Sequence, residues 1–553
     1  MKKKSKEYLD RLRQQDMSVE YRCLNGLQRT PWSINKPVLE VMRTAWDSGE
    51  QWAGLPPRED LPLPVYPFDK DPQEMDEAEK ILFRDWSSKR NRIYQANGKS
   101  MSRRIQVERT LQLANHYAKY DEFYFVWQLD FRSRKYPVES FMSPQVADWG
   151  KALIGFTYGF PIKDAGDADW LAIHGANLFG NDKVSFAERI QWAWDSEDDI
   201  VKVAENPLDY MWWTQADKPW QFLGWCMEWY GLLREGWGYY THLPCSADGS
   251  CNGLQHLSAI LLDSQGGRAC NLVPSDAPSD IYTDVAIRAE AVVKQEAQQG
   301  SEIAKKCLEF GITRSLTKRP VMITPYSGTQ HACREYIQDA IADRIEKKGD
   351  SNPFGDDYFE ASLYLSRHIW QAINETISSA RQVMDYVKTI GSHYADANKH
   401  MEWITPTNFL VVQPYLNTKK RRIETHIDGN IVRLSYQQEM DDVNRSRITT
   451  GSSPNFIHSL DAAALTETVV RCMDGGMTDF AMVHDSYGTH SPNMPVLSQV
   501  LREAFVEMYQ DNDVLQQLRD HACYTVGDNT LPQPPTKGTL DLSKVLESQY
   551  FFA

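Results

Sequence analysis

The chain has 553 residues, 42% hydrophobic and 24% charged, ordinary proportions for a globular protein of three or four folding units. No apolar run of about 18 residues predicts a membrane-spanning helix, and the basic start Met1-Lys-Lys-Lys-Ser-Lys6 runs into Glu7, Asp10 and Asp16, which argues against a signal or transit peptide. Nine scattered cysteines without a Cys-x-x-Cys pair point to a reducing, cytoplasmic setting and away from structural zinc, and a net charge of −15 counts against nucleic acid unless basic residues cluster locally, as they do at Lys89 to Arg109, Arg314 to Arg319 and Lys419 to Arg422.

Residues 1–120 read as mostly helical. Thr30-Pro31 before Trp32-Ser-Ile34 predicts a helix start with proline in the first turn. The Pro-rich, acidic stretch from Leu55 to Pro72 predicts a surface connection. A second helical pattern runs from Asp76 to Tyr120. At its centre Ser102-Arg103-Arg104 offers two guanidinium groups to a phosphate backbone, and equally suits a solvated face. Phe123 to Asp130 alternates like a strand and leads into Arg132, Arg134 and Lys135, cations for an anion site or for surface acids. Residues 145–240 are helical and Trp-rich, with Asp182-Lys183 among them; the tryptophans predict core rather than base stacking.

Leu243 to Asp248 is a short apolar strand ending in a carboxylate. Gly249 to Gly253 turns the chain, and Leu254 to Leu262 predicts a helix. In Ile312 to Ser327, Arg314 and Lys318 are four apart and share a helix face, where a planar fork and a point charge suit a triphosphate. Met322 continues the row, Tyr326 lies about 120° further round, and Pro320 and Pro325 predict a kink or an end. A solvated basic face is the other reading, though it has little use for Met322 and Tyr326. Leu410 to Tyr415 predicts a strand, and Arg421 to Tyr436 alternates about Asp428-Gly429 as a hairpin, suited to a nucleic-acid groove or to plain surface. Gly451 to Asp461 opens a helix running to about Cys472; its His458, taken alone, reads as a core histidine. Phe480 to Val483 predicts a buried strand ending in His484-Asp485-Ser486, with Gly488 allowing a tight reversal. The apolar end Tyr550-Phe-Phe-Ala553 predicts a docked terminus.

Asp248 and Asp485 share one design, a strand-tip carboxylate followed by a Gly-containing turn. One alone reads as a turn capping its own backbone. Two suit a pair of divalent ions about 3.5–4 Å apart, the arrangement for in-line phosphoryl transfer, with the Gly249 carbonyl as a further ligand.

Together these stretches resemble the single-subunit RNA polymerases of bacteriophages and mitochondria over nearly the whole chain. Asp248-Gly-Ser-Cys-Asn-Gly-Leu-Gln-His256 is similar to their motif A, Arg314-x-x-x-Lys318 with Tyr326 to motif B, and His484-Asp485-Ser486 to motif C. The resemblance implies an α+β, predominantly helical right-hand fold with a small antiparallel palm sheet. Its divisions fall at 1–120 (helical, thumb-like), 121–264 (palm, with a helical insertion at about 163–238), 265–458 (fingers, with a hairpin at about 415–440 that corresponds to the promoter specificity loop) and 459–553 (palm and C-terminal foot). It implies DNA-templated RNA synthesis from NTPs, of a phage genome, with two Mg²⁺ ions on Asp248, Gly249 and Asp485. Lys318 joins the two aspartates as catalytic; Arg314, Lys318, Lys183 and Tyr282 take the triphosphate, Tyr326 and His458 the ribose, and Arg103, Arg104, Arg134 and His484 the nucleic acid.

A DNA polymerase of the related family carries a bulky Glu five residues after the motif A Asp and reads His-Asp-Glu in motif C; here Gly253 and Ser486 stand at those positions. A non-catalytic nucleic-acid-binding subunit has no chemical reason to keep Asp248, Asp485, Lys318 and Tyr326 together. Ser327, where Gly commonly follows the motif B Tyr, and the two prolines depart from the family pattern. About thirty residues precede the Trp32 segment, where the family carries a sizeable domain, so the expectation is a catalytic core assisted by a second polypeptide or a pre-opened template.

Overall fold

The computed structural model describes residues 3–69, 71–355, 358–427 and 430–553. Its centre is the Arg445–Asp474 helix, against which the helices Ser18–Arg29, Ser378–Asp396 and Met494–Asp511 pack. The run Ala462-Ala-Ala464 and eighteen buried positions explain why it can be enclosed on nearly all sides. It starts six residues before the expected Gly451, because Asn444 caps it by accepting from the Arg447 N–H at 2.9 Å, and it runs on through Gly451 and Pro454.

The molecule is predominantly helical, and its strands form six two-stranded antiparallel sheets among the described residues. One corrects the first helix signal: Trp32–Ile34 is a strand paired with Ile154–Phe156, and the helix begins at Lys36. Pro37, not Pro31, occupies the first turn, after Asn35 as cap. The expected 123–130 strand shortens to Trp127–Leu129, paired with Lys135–Pro137. Most of the tryptophans are core: Trp213, Trp220, Trp225 and Trp229 are fully buried, with Trp225 and Trp229 stacked 5.4 Å apart, while Trp212 is partly buried and Trp237 is exposed.

The 41-residue helix Glu77–Tyr117 opens on a capping box formed by Asp76 and Glu79 and is buried only near its C-terminal end, at Val107, Thr110, Leu111 and Ala114. The Pro-rich connection doubles back along the rest. Asn97 pairs with both the N–H and the carbonyl of Leu61 at 2.8 Å, Trp86 donates to the Val65 carbonyl, and Arg104 meets Asp60 and the Arg58 carbonyl. Arg103 beside it is exposed. A second projection is the ribbon of Leu416–Ile427 against Asn430–Val443, exposed along both arms. Its turn, Asp428-Gly429, lies outside the described residues.

Each of the three cations after Asp130 has a carboxylate partner. Arg132 pairs with Asp130, Arg134 with Asp461, and Lys135 with Glu20 at 2.8 Å. The last pair is fully enclosed. Lys135 also bonds Ser133 and Thr466, and Glu20 accepts from Thr407 at 2.7 Å, so the pair ties the Ser18–Arg29 helix, a strand and the central helix together. A buried charge stripped of its partner costs about 3–5 kcal/mol. Lys135→Met is therefore expected to lower unfolding free energy by about that amount in denaturant titration, and Glu20→Gln with Lys135→Met to restore much of the loss.

Candidate active site

The strand Cys245–Asp248 pairs with Ser486–Thr489 in a register that sets Ser486 opposite Asp248. The Gly249 N–H donates to the Asp485 carbonyl at 3.0 Å, so the two aspartates are neighbours across the end of this ladder. Asp485 sits in a two-residue turn closed by mutual Val483 and Ser486 backbone bonds of 2.8 Å, with His484 at φ +51°. This revises the expected strand. Phe480 to Val483 is a buried flanking arm, the ladder strand follows the motif, and the reversal is made at His484-Asp485. Gly488 answers a close approach instead: a Cβ there would lie 2.9 Å from the Ala481 carbonyl and 3.1 Å from that of Cys245.

Asp248, Gly249, Asp485, Lys183, Tyr282, Arg314 and Lys318 all line one cavity of about 480 Å³. Arg103 and Arg104 are not among its lining residues. Asp485 opens onto the cavity yet is crowded by protein, and this crowding, then the charge of Asp248, raises its carboxyl above the ordinary range. A carboxyl raised beside a second carboxylate fits a divalent cation, which relieves the repulsion at Asp485. Among the described residues no cluster of three or more His, Cys, Asp or Glu side chains forms a ready metal cage. Mg²⁺ needs no all-protein cage, since one or two carboxylates hold it together with substrate phosphates, and the donor set of Asp248 with Asp485 fits that requirement. The Gly249 carbonyl accepts from the Cys251 N–H at 2.9 Å and keeps its second lone pair.

The helix Arg314–Ile323 carries the cationic wall. It passes through Pro320 and gives way at Thr324 to a short 3₁₀ turn, so the first proline is absorbed and the second falls beyond the end. Arg314 Nε donates to Asp280 at 2.8 Å, and its guanidinium lies 5.1 Å from the Tyr282 ring centre. Crowding, then Arg314 and Lys183, draws the Lys318 ammonium below its ordinary range. Lys183 pairs with Asp182 at 2.8 Å. The loop carrying it is tied by the buried Arg189, which donates to the carbonyls of Asp182 and Val184 and to Asn177.

Tyr326 stacks on His458, ring centres 4.7 Å apart, and His458 Nδ1 meets Arg132 at 2.9 Å. A Cβ on Gly253 would lie 3.1 Å from the Tyr326 hydroxyl and 3.2 Å from Pro325 Cβ, so the absence of a side chain at 253 lets the tyrosine sit against motif A. His484 lies 4.8 Å from the Tyr136 ring, and Arg134 is committed to the buried Asp461. The C-terminal residues cover the turn: the Ala553 N–H donates to the Asp248 carbonyl at 3.1 Å, and Phe551 and Phe552 are buried.

Residues 163–531 match the family model described as DNA-dependent RNA polymerase. The chain belongs to that family. It is 33% identical over 99% of its length to the DNA-directed RNA polymerase of Enterobacteria phage K11, covering 64% of that protein. It is 33% identical over all of its length to the mitochondrial DNA-directed RNA polymerase 1 of Arabidopsis thaliana, covering 55% of it. The chain thus spans between about half and two thirds of these polymerases.

Among the lining residues outside the motifs are two charged ones, Asp280 and Lys218. Asp280 reads in sequence as a helix cap, and Lys218 as one charge before Pro219. Their roles come from segments that meet only in the fold.

Burial holds three histidines neutral: His174 falls to about 4, His256 to about 3 and His458 to about 2. The unfolded chain protonates them near pH 6.5, whereas the folded one resists. Their contribution is complete above about pH 6.5 and shrinks as pH falls toward their folded values. The thermal midpoint is expected to hold above about pH 6.5 and to drop steadily from there to pH 5; a flat profile across that lower range contradicts the buried neutral assignment.

Proposed function

We propose that this chain synthesises RNA on a DNA template from nucleoside triphosphates by two-metal phosphoryl transfer, in transcription of a phage genome. The observation that carries the reading is the ladder register that sets Asp248 beside Asp485 in a cavity walled by Arg314 and Lys318. The relatives named DNA-directed RNA polymerase support it. In this reading residues 1–120 form the thumb, 121–264 and 459–553 the palm and foot, and 265–458 the fingers.

Asp248, Asp485 and the Gly249 carbonyl hold the two Mg²⁺ ions. When bound, these supply charge neutralisation for the attacking and leaving oxygens. The chain's own part is positioning and electrostatics. Arg314 exchanges Asp280 for phosphate oxygens, with Lys183 and Tyr282 beside it. Lys318, its ammonium already drawn below the usual range, is placed to hand a proton to the departing pyrophosphate. Tyr326, backed by His458, faces the ribose; Arg103, Arg104 and His484 serve the nucleic acid, and Arg134, expected to join them, is instead committed to the buried Asp461. The bare Gly253 leaves no side chain to exclude a 2′-hydroxyl, which favours ribonucleotides over the deoxynucleotide reading.

On an RNA primer annealed to DNA, Asp248→Ala and Asp485→Ala are each expected to slow extension by on the order of a thousandfold. A rate within a few-fold of wild type removes the two-metal assignment. Gly253→Val pushes a branched side chain toward Tyr326 and is expected to reduce the NTP-over-dNTP preference in kcat/KM by about tenfold. An unchanged ratio would mean that Tyr326 does not read the sugar.

A further inference from the structure

Asp248 is approached by a cation that belongs to none of the motifs. Lys218 Nζ lies 3.9 Å from Asp248 Oδ2, and each side chain is about half exposed, 46% and 58%. The backbone beneath the lysine is fixed. Its N–H donates to the Leu178 carbonyl at 3.0 Å, and that of Asp217 to Phe179 at 3.1 Å. Pro219 then opens the Pro219–Glu235 helix, whose Trp220 and Gln221 N–H groups are capped by Asp148. The ammonium therefore hangs from a rigid base at the edge of the cavity. Lys151 lines the same cavity, and its charge is felt by both Lys218 and Asp248. Within the cavity, metal and Lys218 seek the same carboxylate.

Resting on the two-metal reading above, we propose that Lys218 is a resident counter-cation of Asp248, one that competes with divalent metal and gives way when nucleotide phosphates offer its ammonium a new partner. Lys218 is a positioning residue in this scheme. It keeps Asp248 neutralised in the empty cavity and makes metal loading there depend on the arrival of a polyphosphate. In water a unit charge about 4 Å away opposes an incoming divalent cation by a factor of about thirty, which salt screening at these half-exposed side chains reduces to about five. A polyphosphate lifts the penalty because the displaced ammonium regains an anion.

The test is direct metal binding to the full chain without nucleotide. Mn²⁺ is titrated in and the free ion followed by its electron paramagnetic resonance signal. Lys218→Gln is expected to bind Mn²⁺ about fivefold more tightly than wild type. Lys218→Arg, which keeps the charge, is expected to stay near wild type, and Asp248→Asn to lose the affinity. If Lys218→Gln binds no tighter while Asp248→Asn loses the ion, the counter-cation role is overturned and the metal site stands. If Asp248→Asn binds as wild type does, the metal assignment fails, and with it the proposal.

Discussion

The chemistry of this chain depends on the register of two four-residue strands. In an antiparallel ladder a slip of one residue turns every side chain to the opposite face. A slip here would carry Asp248 away from Asp485 and empty the site. Several contacts forbid it. Cys245, Ala247 and Tyr487 point into the core, and Tyr487 meets Phe552 edge-on at 5.1 Å. Gly488 passes between the carbonyls of Ala481 and Cys245 with no room for a side chain. The Gly249 bond to Asp485 extends the ladder one step past the strands and holds the turn against its neighbour.

Charge is arranged in layers around that ladder. The whole chain carries −15, yet Lys183, Lys218, Arg314 and Lys318 line the cavity. None is left as a naked cluster: Lys183 is matched by Asp182, Lys218 by Asp248 and Arg314 by Asp280, while crowding and the neighbouring Arg314 draw the Lys318 ammonium below its ordinary range. Deeper still, Arg134 with Asp461 and Lys135 with Glu20 fix the strand beneath to the central helix. These enclosed pairs specify which segments meet more than they add stability, since burial costs both charges their water.

The sequence made the site legible where the chemistry rides on one short segment. A strand-tip aspartate and an Arg–Lys pair four apart carry their geometry with them, so Asp248, Asp485, Arg314 and Lys318 were visible before any fold. Pairings between distant segments were not: nothing local says that Asp280 will face Arg314, or that Lys218 will face Asp248. Local signals also misled where two readings share one residue. Pro31 looked like a helix opener because Pro37 carries the same signal six residues on, and the apolar run at 480 proves to be one arm of a hairpin, bonded back to Gly488 and Ser486, while the strand that meets Asp248 follows the turn. The central helix was expected to open at Gly451 and opens six residues earlier, because the Asn444 cap starts it and enclosure by neighbouring helices carries it through Gly451 and Pro454.

The helix Glu77–Tyr117 has a mechanical consequence. It is a rod of about 60 Å held by its last third. The distance from Val107 to Glu77 is about 45 Å at 1.5 Å per residue, so a pivot of a few degrees at the anchored end sweeps the far end through several ångströms. The Pro-rich strap, fastened at Asp60, Leu61 and Val65, acts as a brace that lets the rod swing without bending. By this geometry a small adjustment in packing around Leu111 and Ala114 would be magnified at the tip.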